Sequence, residues 1–258
     1  MIQVDLNCDM GESFGIYQLG LDEEMMQYIT SANIACGYHA GDPRVMRKTI
    51  ELAKTWQVGV GAHPAFPDLQ GFGRRHMNCT PSEVKDYILY QMGALREFAT
   101  CYGLPVQHCK PHGALYMAIM EDEHLARAFL EAVAAINENT VVFALNNSAV
   151  AALGKEMGIP VALEVYADRE HTANGSIIMT RTGPNIRDYD EMAMRVVRMV
   201  KEGTVVTPEG ETASITAHTV CIHGDTPGAT QLAKAIVEAL RQHEIRVAPI
   251  HKILGIGC

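Results

Sequence analysis

The chain has 258 residues, 48% hydrophobic and 20% charged, with 22 glycines and 11 prolines; this is the balance of a globular chain with one large core, not of a disordered one. Its formal net charge is −9 with no long basic block, which argues against nucleic acid or an anionic membrane as partner and for a small molecule. A start without a basic-then-apolar leader, and no run of about 20 apolar residues, make cytoplasmic residence the expectation.

In chain order, a β-branched run predicts a first strand over Ile2 to Leu6, leading into the polar cluster Asp5-Leu6-Asn7-Cys8-Asp9-Met10-Gly11-Glu12. A helix is expected at residues 22–30, then a strand at Ala32 to Cys36 inside the cluster Asn33 to Asp42. Asp42-Pro43 caps and opens a helix to about Thr55. A third strand, Val58 to Ala62, ends at Gly61-Ala62-His63-Pro64, and Thr80 with Glu83 forms a capping box for a helix to about Tyr102. The fourth strand, Val106 to Cys109, runs into Lys110-Pro111-His112-Gly113, followed by a helix at 121–137, a strand at Val141 to Leu145 and a helix at 147–157. Val161 to Tyr166 leads into Ala167-Asp168-Arg169 and an irregular stretch to Arg187, expected to pass over the site. After a helix at 188–202 and a hairpin at 203–217, Thr219 to Ile222 ends at His223-Gly224-Asp225. A helix at 226–243, capped by Thr226-Pro227, and a strand at Arg246 to Ile250 complete the chain.

Alternating strand and helix predicts a parallel sheet with helical crossovers. Seven or eight such units in a single domain over 1–258 favour a closed or nearly closed β/α barrel, TIM-like but distorted, over an open doubly wound sheet.

Side chains two apart on a strand share a face. On the first strand Asp5, Asn7 and Asp9 oppose Val4, Leu6 and Cys8; the same parity gathers His39, His63, Lys110, His112, Glu164, Asp168, His223 and Asp225 at the carboxyl ends of the strands, where barrel active sites lie. So many charged groups cannot stay unpaired in an interior; they are solvated, mutually paired, or binding something. A structural ion-pair network is the plain alternative. The glycines before His63 are expected to thin the wall for a ligand, Lys110 suits a carboxylate or phosphate oxygen, and Arg74-Arg75 is a second anion candidate or a solvated loop. Cys8 and Cys36 fall on the apolar parity, against a nucleophilic role. The seven scattered cysteines lack a C-x-x-C pair and read as reduced thiols. No glycine-rich nucleotide loop is present.

Asp5 to Gly15, Ser31 to Pro43, Gly61 to Pro64, Pro67 to Arg75, Lys110 to Tyr116, Glu164 to Arg169 and His223 to Pro227 together resemble the lactam-utilisation (LamB/YcsF) family, identified with the A subunit of the prokaryotic ATP-dependent 5-oxoprolinase. The resemblance implies a barrel akin to glycoside hydrolases and deacetylases. It also implies opening of 5-oxo-L-proline to L-glutamate, driven by ATP held here or with partner B and C subunits. The expected catalytic set is Asp9, His39, His63, Lys110, His112, His223 and Asp225, with Asp9 or Asp225 as base. Asn7, Glu12, Asn33, Asp168 and Arg169 are expected to contact substrate. Alternatives are a metal-dependent deacetylase or amidohydrolase with a divalent ion on Asp9, His63 and His223, or a non-catalytic substrate-binding subunit. His171 to Arg181, with Asn174 where the family pattern leads us to expect an acidic residue, departs from that pattern.

Overall fold

The computed structural model describes residues 1–178 and 188–256. The strands are β1 (Gln3–Met10), β2 (Ser31–Ala35), β3 (Gly59–His63), β4 (Val106–Cys109), β5 (Val141–Leu145), β6 (Val161–Tyr166), β7 (Thr204–Val206), β8 (Thr212–Ser214), β9 (Thr219–Cys221) and β10 (Arg246–Val247). The helices are α1 (Asp22–Met25), α2 (Pro43–Trp56), α3 (Pro81–Cys101), α4 (Gly113–Glu121), α5 (Glu123–Ile136), α6 (Ala149–Met157), α7 (Tyr189–Lys201), α8 (Ala229–Gln242) and α9 (Ile250–Leu254).

Strands β1, β2, β3, β4, β5, β6 and β9 pair in parallel, and β9 returns to β1, which closes the ring at seven. The eighth, β10, pairs with β1 through Gln3 and Val4 only, and β7 with β8 forms the separate antiparallel hairpin. The expected β/α barrel is thus present as a closed one. Among the described residues no helix is long and apolar enough to cross a membrane.

Local chemistry accounts for several helix starts. Asp42 accepts from the backbone of Arg44 and Val45 with Pro43 in the first turn, Thr80 and Glu83 form a reciprocal capping box, and Ser148 caps α6. Four expectations shift. The helix expected at residues 22–30 shortens to Asp22–Met25. The strand expected over Ile2 to Leu6 extends to Met10 because β2 pairs with it from Asn7 to Met10. Helix α8 begins at Ala229, not Thr226: Thr226 closes a turn to Ala229, and Gly228 precedes the helix at φ 87°. The strand expected over Arg246 to Ile250 stops at Val247, and Pro249 opens α9.

Val4, Leu6, Cys8 and Met10 of β1 join the core between the strands and the helices. Asp5, Asn7 and Asp9 point into the ring, as their partners show.

Candidate functional site

The interior fills in layers. Lowest lies Asp5, which accepts from Thr30 and Ser31 at 2.7 Å and from Thr219 at 2.5 Å; burial pushes its carboxyl up to about 6 despite these bonds. Above it, Asn7 donates to Glu164 (2.9 Å) and Thr219 (2.8 Å) and accepts from Asn33 (2.8 Å). Asn33 also donates to Asp9 and accepts from His108. Every hydrogen bond of these two amides is internal, so Asn7 and Asn33 support the cleft from beneath.

Gly61 has a different purpose from the one expected. A Cβ there would lie 2.0 Å from His108 Nε2, so the missing side chain admits the His108 ring, which stacks on Phe143 at 4.5 Å. Gly59 likewise yields to Gln107 and the Thr30 carbonyl.

Lys110 is 2% exposed and lies 3.1 Å from Asp9, 3.0 Å from Glu164, 3.2 Å from Asn7 Oδ1 and 3.0 Å from Cys221 Sγ. Burial opposes its charge, but Asp9 leads the contacts that hold its ammonium well above the usual lysine range. Three protons among four acceptors leave none for a ligand. Glu164 is completed by the Tyr116 and Tyr166 hydroxyls, each at 2.9 Å.

Above this floor opens a cleft lined by Asp9, Glu12, His63, Arg74, His112, Tyr166, Arg169, His223 and Asp225 among others. The room it leaves for a bound group is about 40 Å³, below the usual range for small-molecule sites. Two constellations line it.

In the first, His63 Nδ1 donates to the Lys110 carbonyl at 2.6 Å and His112 Nε2 to the Phe72 carbonyl at 2.9 Å. A carbonyl only accepts, so both protons are fixed. The remaining nitrogens, His63 Nε2 and His112 Nδ1, then face each other at 2.9 Å. Two lone pairs repel at that distance, so the pair is complete only with a cation between them, a proton or a metal. Carboxylates of Asp9 (3.4 Å from His63) and Glu12 (3.4 Å from His112) flank it. His63 and Lys110 outweigh burial and hold Asp9 well below the usual carboxylate range, whereas burial raises Glu12. His39 donates to Glu12 at 2.9 Å and stacks on His112 at 3.9 Å; burial and the His63 charge keep it neutral, and its Nδ1 is buried with no partner among the described residues.

In the second, both Asp168 oxygens lie 2.9 Å from His223 Nδ1. Burial disfavours both charges, but each offsets it for the other: Asp168 is lowered and His223 raised. Nε2 of His223 has no hydrogen-bond partner among the described residues and can face a ligand. Asp225 sits at the rim with Arg74 3.7 Å away.

Metal-ligating atoms group in the same two ways, Glu12 with His39, His63 and His112, and Asp9 with Cys221 and His223. His63 and His223 fall in different groups, so the expected trio of Asp9, His63 and His223 is divided between them. The thiols stay out of the chemistry: burial pushes Cys36 up to about 12 and Cys8 well above the usual range, and all six described cysteines are free; Cys258 lies outside the described residues.

The sequence profile of the LamB/YcsF family matches residues 4–255. The chain belongs to that family. It is 50% identical to the A subunit of 5-oxoprolinase from Pyrococcus abyssi over 255 residues, 98% of this chain and 100% of the relative. The crystal structure of the lactam utilization protein of Thermus thermophilus superposes with a TM-score of 0.89 at 41% identity, covering 95% of this chain and 99% of that one. At 11% identity and a TM-score of 0.51, a peptidoglycan N-acetylglucosamine deacetylase covers 99% of this chain and 89% of its own and shares the barrel fold. In this LamB/YcsF chain, the sequence reading did not single out Arg74, Tyr116 or Tyr166 as cleft residues: Tyr166 shares the parity of Glu164 on β6, whereas Tyr116 lies on α4 and Arg74 on the loop after β3, where strand parity has no say. Of the divergent stretch, Arg181 lies outside the described residues. Asn174 is exposed, and its backbone carbonyl accepts from Asn147.

Proposed function

We propose that this chain is the A subunit of an ATP-dependent 5-oxoprolinase, opening 5-oxo-L-proline to L-glutamate together with B and C subunits in the cytosol. The observation that carries the reading is the Asp168/His223 dyad facing the His63/His112 pair across one cleft, in a chain alike over its full length to a relative named for that activity.

Lactam nitrogen donates into its carbonyl and so resists attack. Phosphorylation of the amide oxygen by ATP, which leaves ADP, removes that donation; water then adds at the carbonyl carbon, the ring C–N bond breaks as the nitrogen takes a proton, and a second water hydrolyses the resulting acyl phosphate to glutamate and phosphate. His223, kept protonated by Asp168, suits delivery of a proton to the departing nitrogen. The cation shared by His63 and His112 suits the anionic phosphoryl oxygens, which depart as phosphate. Asp225, at the rim, takes the proton of the attacking water; Asp9, low in pKa and bonded to Asn33 and Lys110, acts as a fixed charge. ATP enters with the partner subunits, since the chain has no phosphate-cradling glycine loop.

The test is glutamate formation from 5-oxoproline by the chain alone and with B and C, with and without ATP. Turnover is expected only with all components, and Asp168→Ala should reduce it about 100-fold or more with the complex still assembled. Glutamate made by the chain alone without ATP would refute the multi-subunit reading; full turnover by the Asp168→Ala complex would leave this chain as a binding subunit.

The facing nitrogens also favour a second reading, metal-dependent amide hydrolysis. Four of the separations among the ligating atoms of Glu12, His39, His63 and His112 lie between 2.9 and 3.9 Å, and all lie within 4.8 Å of one another, a donor set of the kind zinc takes. Both backbone carbonyls already orient the rings as metal ligands require. These four residues would hold a divalent ion, which would supply polarisation of the amide carbonyl. Stoichiometric metal in the natively purified protein, lost in a His63→Ala/His112→Ala variant, decides for it; a metal-free wild-type protein with full turnover decides against.

A further inference from the structure

A lactam bearing a carboxylate needs a cation whose donors are still available. Arg74, Lys110, Arg169 and His223 line the cleft. Lys110 has spent its protons on Asp9, Glu164, Asn7 and Cys221, and His223, with Nδ1 on Asp168, has its one open N–H assigned to the departing nitrogen. Arg169 is 7% exposed, set deeper in the wall. Arg74 stands at the mouth. Its contacts among the described residues are Asp225 at 3.7 Å, beyond hydrogen-bond range, and the face of Phe72 at 5.0 Å. Its donors are therefore available in a fork that matches a carboxylate.

The loop carrying Arg74 is preorganised. Asp68 accepts from the backbone of Gly71 and from the side chain of Arg75, Gly73 donates to the Asp68 carbonyl, and Ala114 donates to the Gly73 carbonyl. Gly73 has φ 63°, and a Cβ there would lie 2.8 Å from His39 and 2.9 Å from His112, so the loop is seated directly on the histidines. Asp225 repels an anion placed anywhere at that rim except on the guanidinium. A substrate carboxylate would replace Asp225 as the partner of Arg74.

We infer that Arg74 binds the carboxylate of a carboxylated lactam and so sets the preference for 5-oxoproline-type substrates over uncharged lactams, an inference that rests on the ring-opening reading above. Arg74→Gln and Arg74→Lys are compared with wild type in the complex with B and C subunits and ATP. The two probes are 5-oxoproline and 2-pyrrolidinone, the same ring without its carboxylate, used as alternative substrate or competing inhibitor. For Arg74→Gln, kcat/KM on 5-oxoproline should fall by about 10- to 100-fold, mostly through KM. Constants for 2-pyrrolidinone should stay within about threefold, because that ring has no charged group to lose, and Arg74→Lys should recover part of the loss. Equal losses for both lactams, or none for either, overturn the assignment. If the wild-type complex does not turn over 5-oxoproline at all, the ring-opening reading falls, and calorimetric titration of the chain with 5-oxoproline still decides this one. Binding that weakens in Arg74→Gln upholds it, whereas equal binding, or none to wild type, overturns it.

Discussion

Replacing Lys110 with methionine tests whether the floor of the cleft is an electrostatic keystone. Its ammonium lies 3.1 Å from Asp9 and 3.0 Å from Glu164, and each contact is worth about 5 kcal/mol in gross Coulomb energy at an effective dielectric of about 20. Desolvation of the three ions takes back most of that, so the measured loss should be about 3–5 kcal/mol, the usual cost of leaving buried carboxylates without their cation. In a chain of this size that lowers Tm by roughly 10 °C. Adding Glu164→Gln removes one stranded charge and should restore about 2 kcal/mol of stability, the coupling expected of groups in contact. Turnover should stay lost in the double variant, because Asp9 still lacks its partner. The assay is urea and thermal unfolding of the four members of the cycle by circular dichroism at pH 7. A Lys110→Met protein melting within about 2 °C of wild type, or a double variant no more stable than the single, would refute the reasoning.

Asp168→Asn removes the carboxylate that raises His223. Turnover that depends on protonated His223 falls as pH rises through its elevated pKa, so the variant's falling limb should move to lower pH, toward 6.5, with kcat down about 100-fold or more. The pair's contribution to stability is fullest above the unfolded Asp value of 3.8 and below the unfolded His value of 6.5. It is lost as pH falls through the lowered Asp168 value or rises through the raised His223 value, and Asp168→Asn should flatten that part of the stability profile in pH-dependent melting. Gly61→Ala drives a methyl into His108 and should cost about 1–3 kcal/mol, with part regained in Gly61→Ala/His108→Ala, as read by urea unfolding. Chelation of the native protein should leave Tm unchanged if a proton bridges His63 and His112, and lower it by several degrees if a metal does.

Much of the site was legible because strand parity is a strict rule and β1 obeys it: Asp5, Asn7 and Asp9 all point inward, and Cys8 does not. Parity has no vertical coordinate, however, so it placed Asn7 with the cleft residues although its bonds are spent below it, and it gave no sign that Lys110, which does line the cleft, has its protons engaged. Helix α4 was not foreseen. Leu115, Tyr116, Ile119 and Met120 are buried, and Gly113 to Glu121 shows no polar face to give a helical period. Arg74 was left undecided because its loop is placed by tertiary contacts, Asp68 with Arg75 and Gly73 with Ala114.

The two acceptors that fix the protons of His63 and His112 are peptide carbonyls, of Lys110 and Phe72. No side-chain exchange can delete a carbonyl, so the direction in which those imidazoles point their lone pairs is insulated from ordinary mutation. Arg74 and Asp225 enjoy no such protection. A designer wishing to redirect this barrel to another lactam would therefore find two imidazoles whose aim is set by the backbone, beside a rim at Arg74 that one or two substitutions can rewrite.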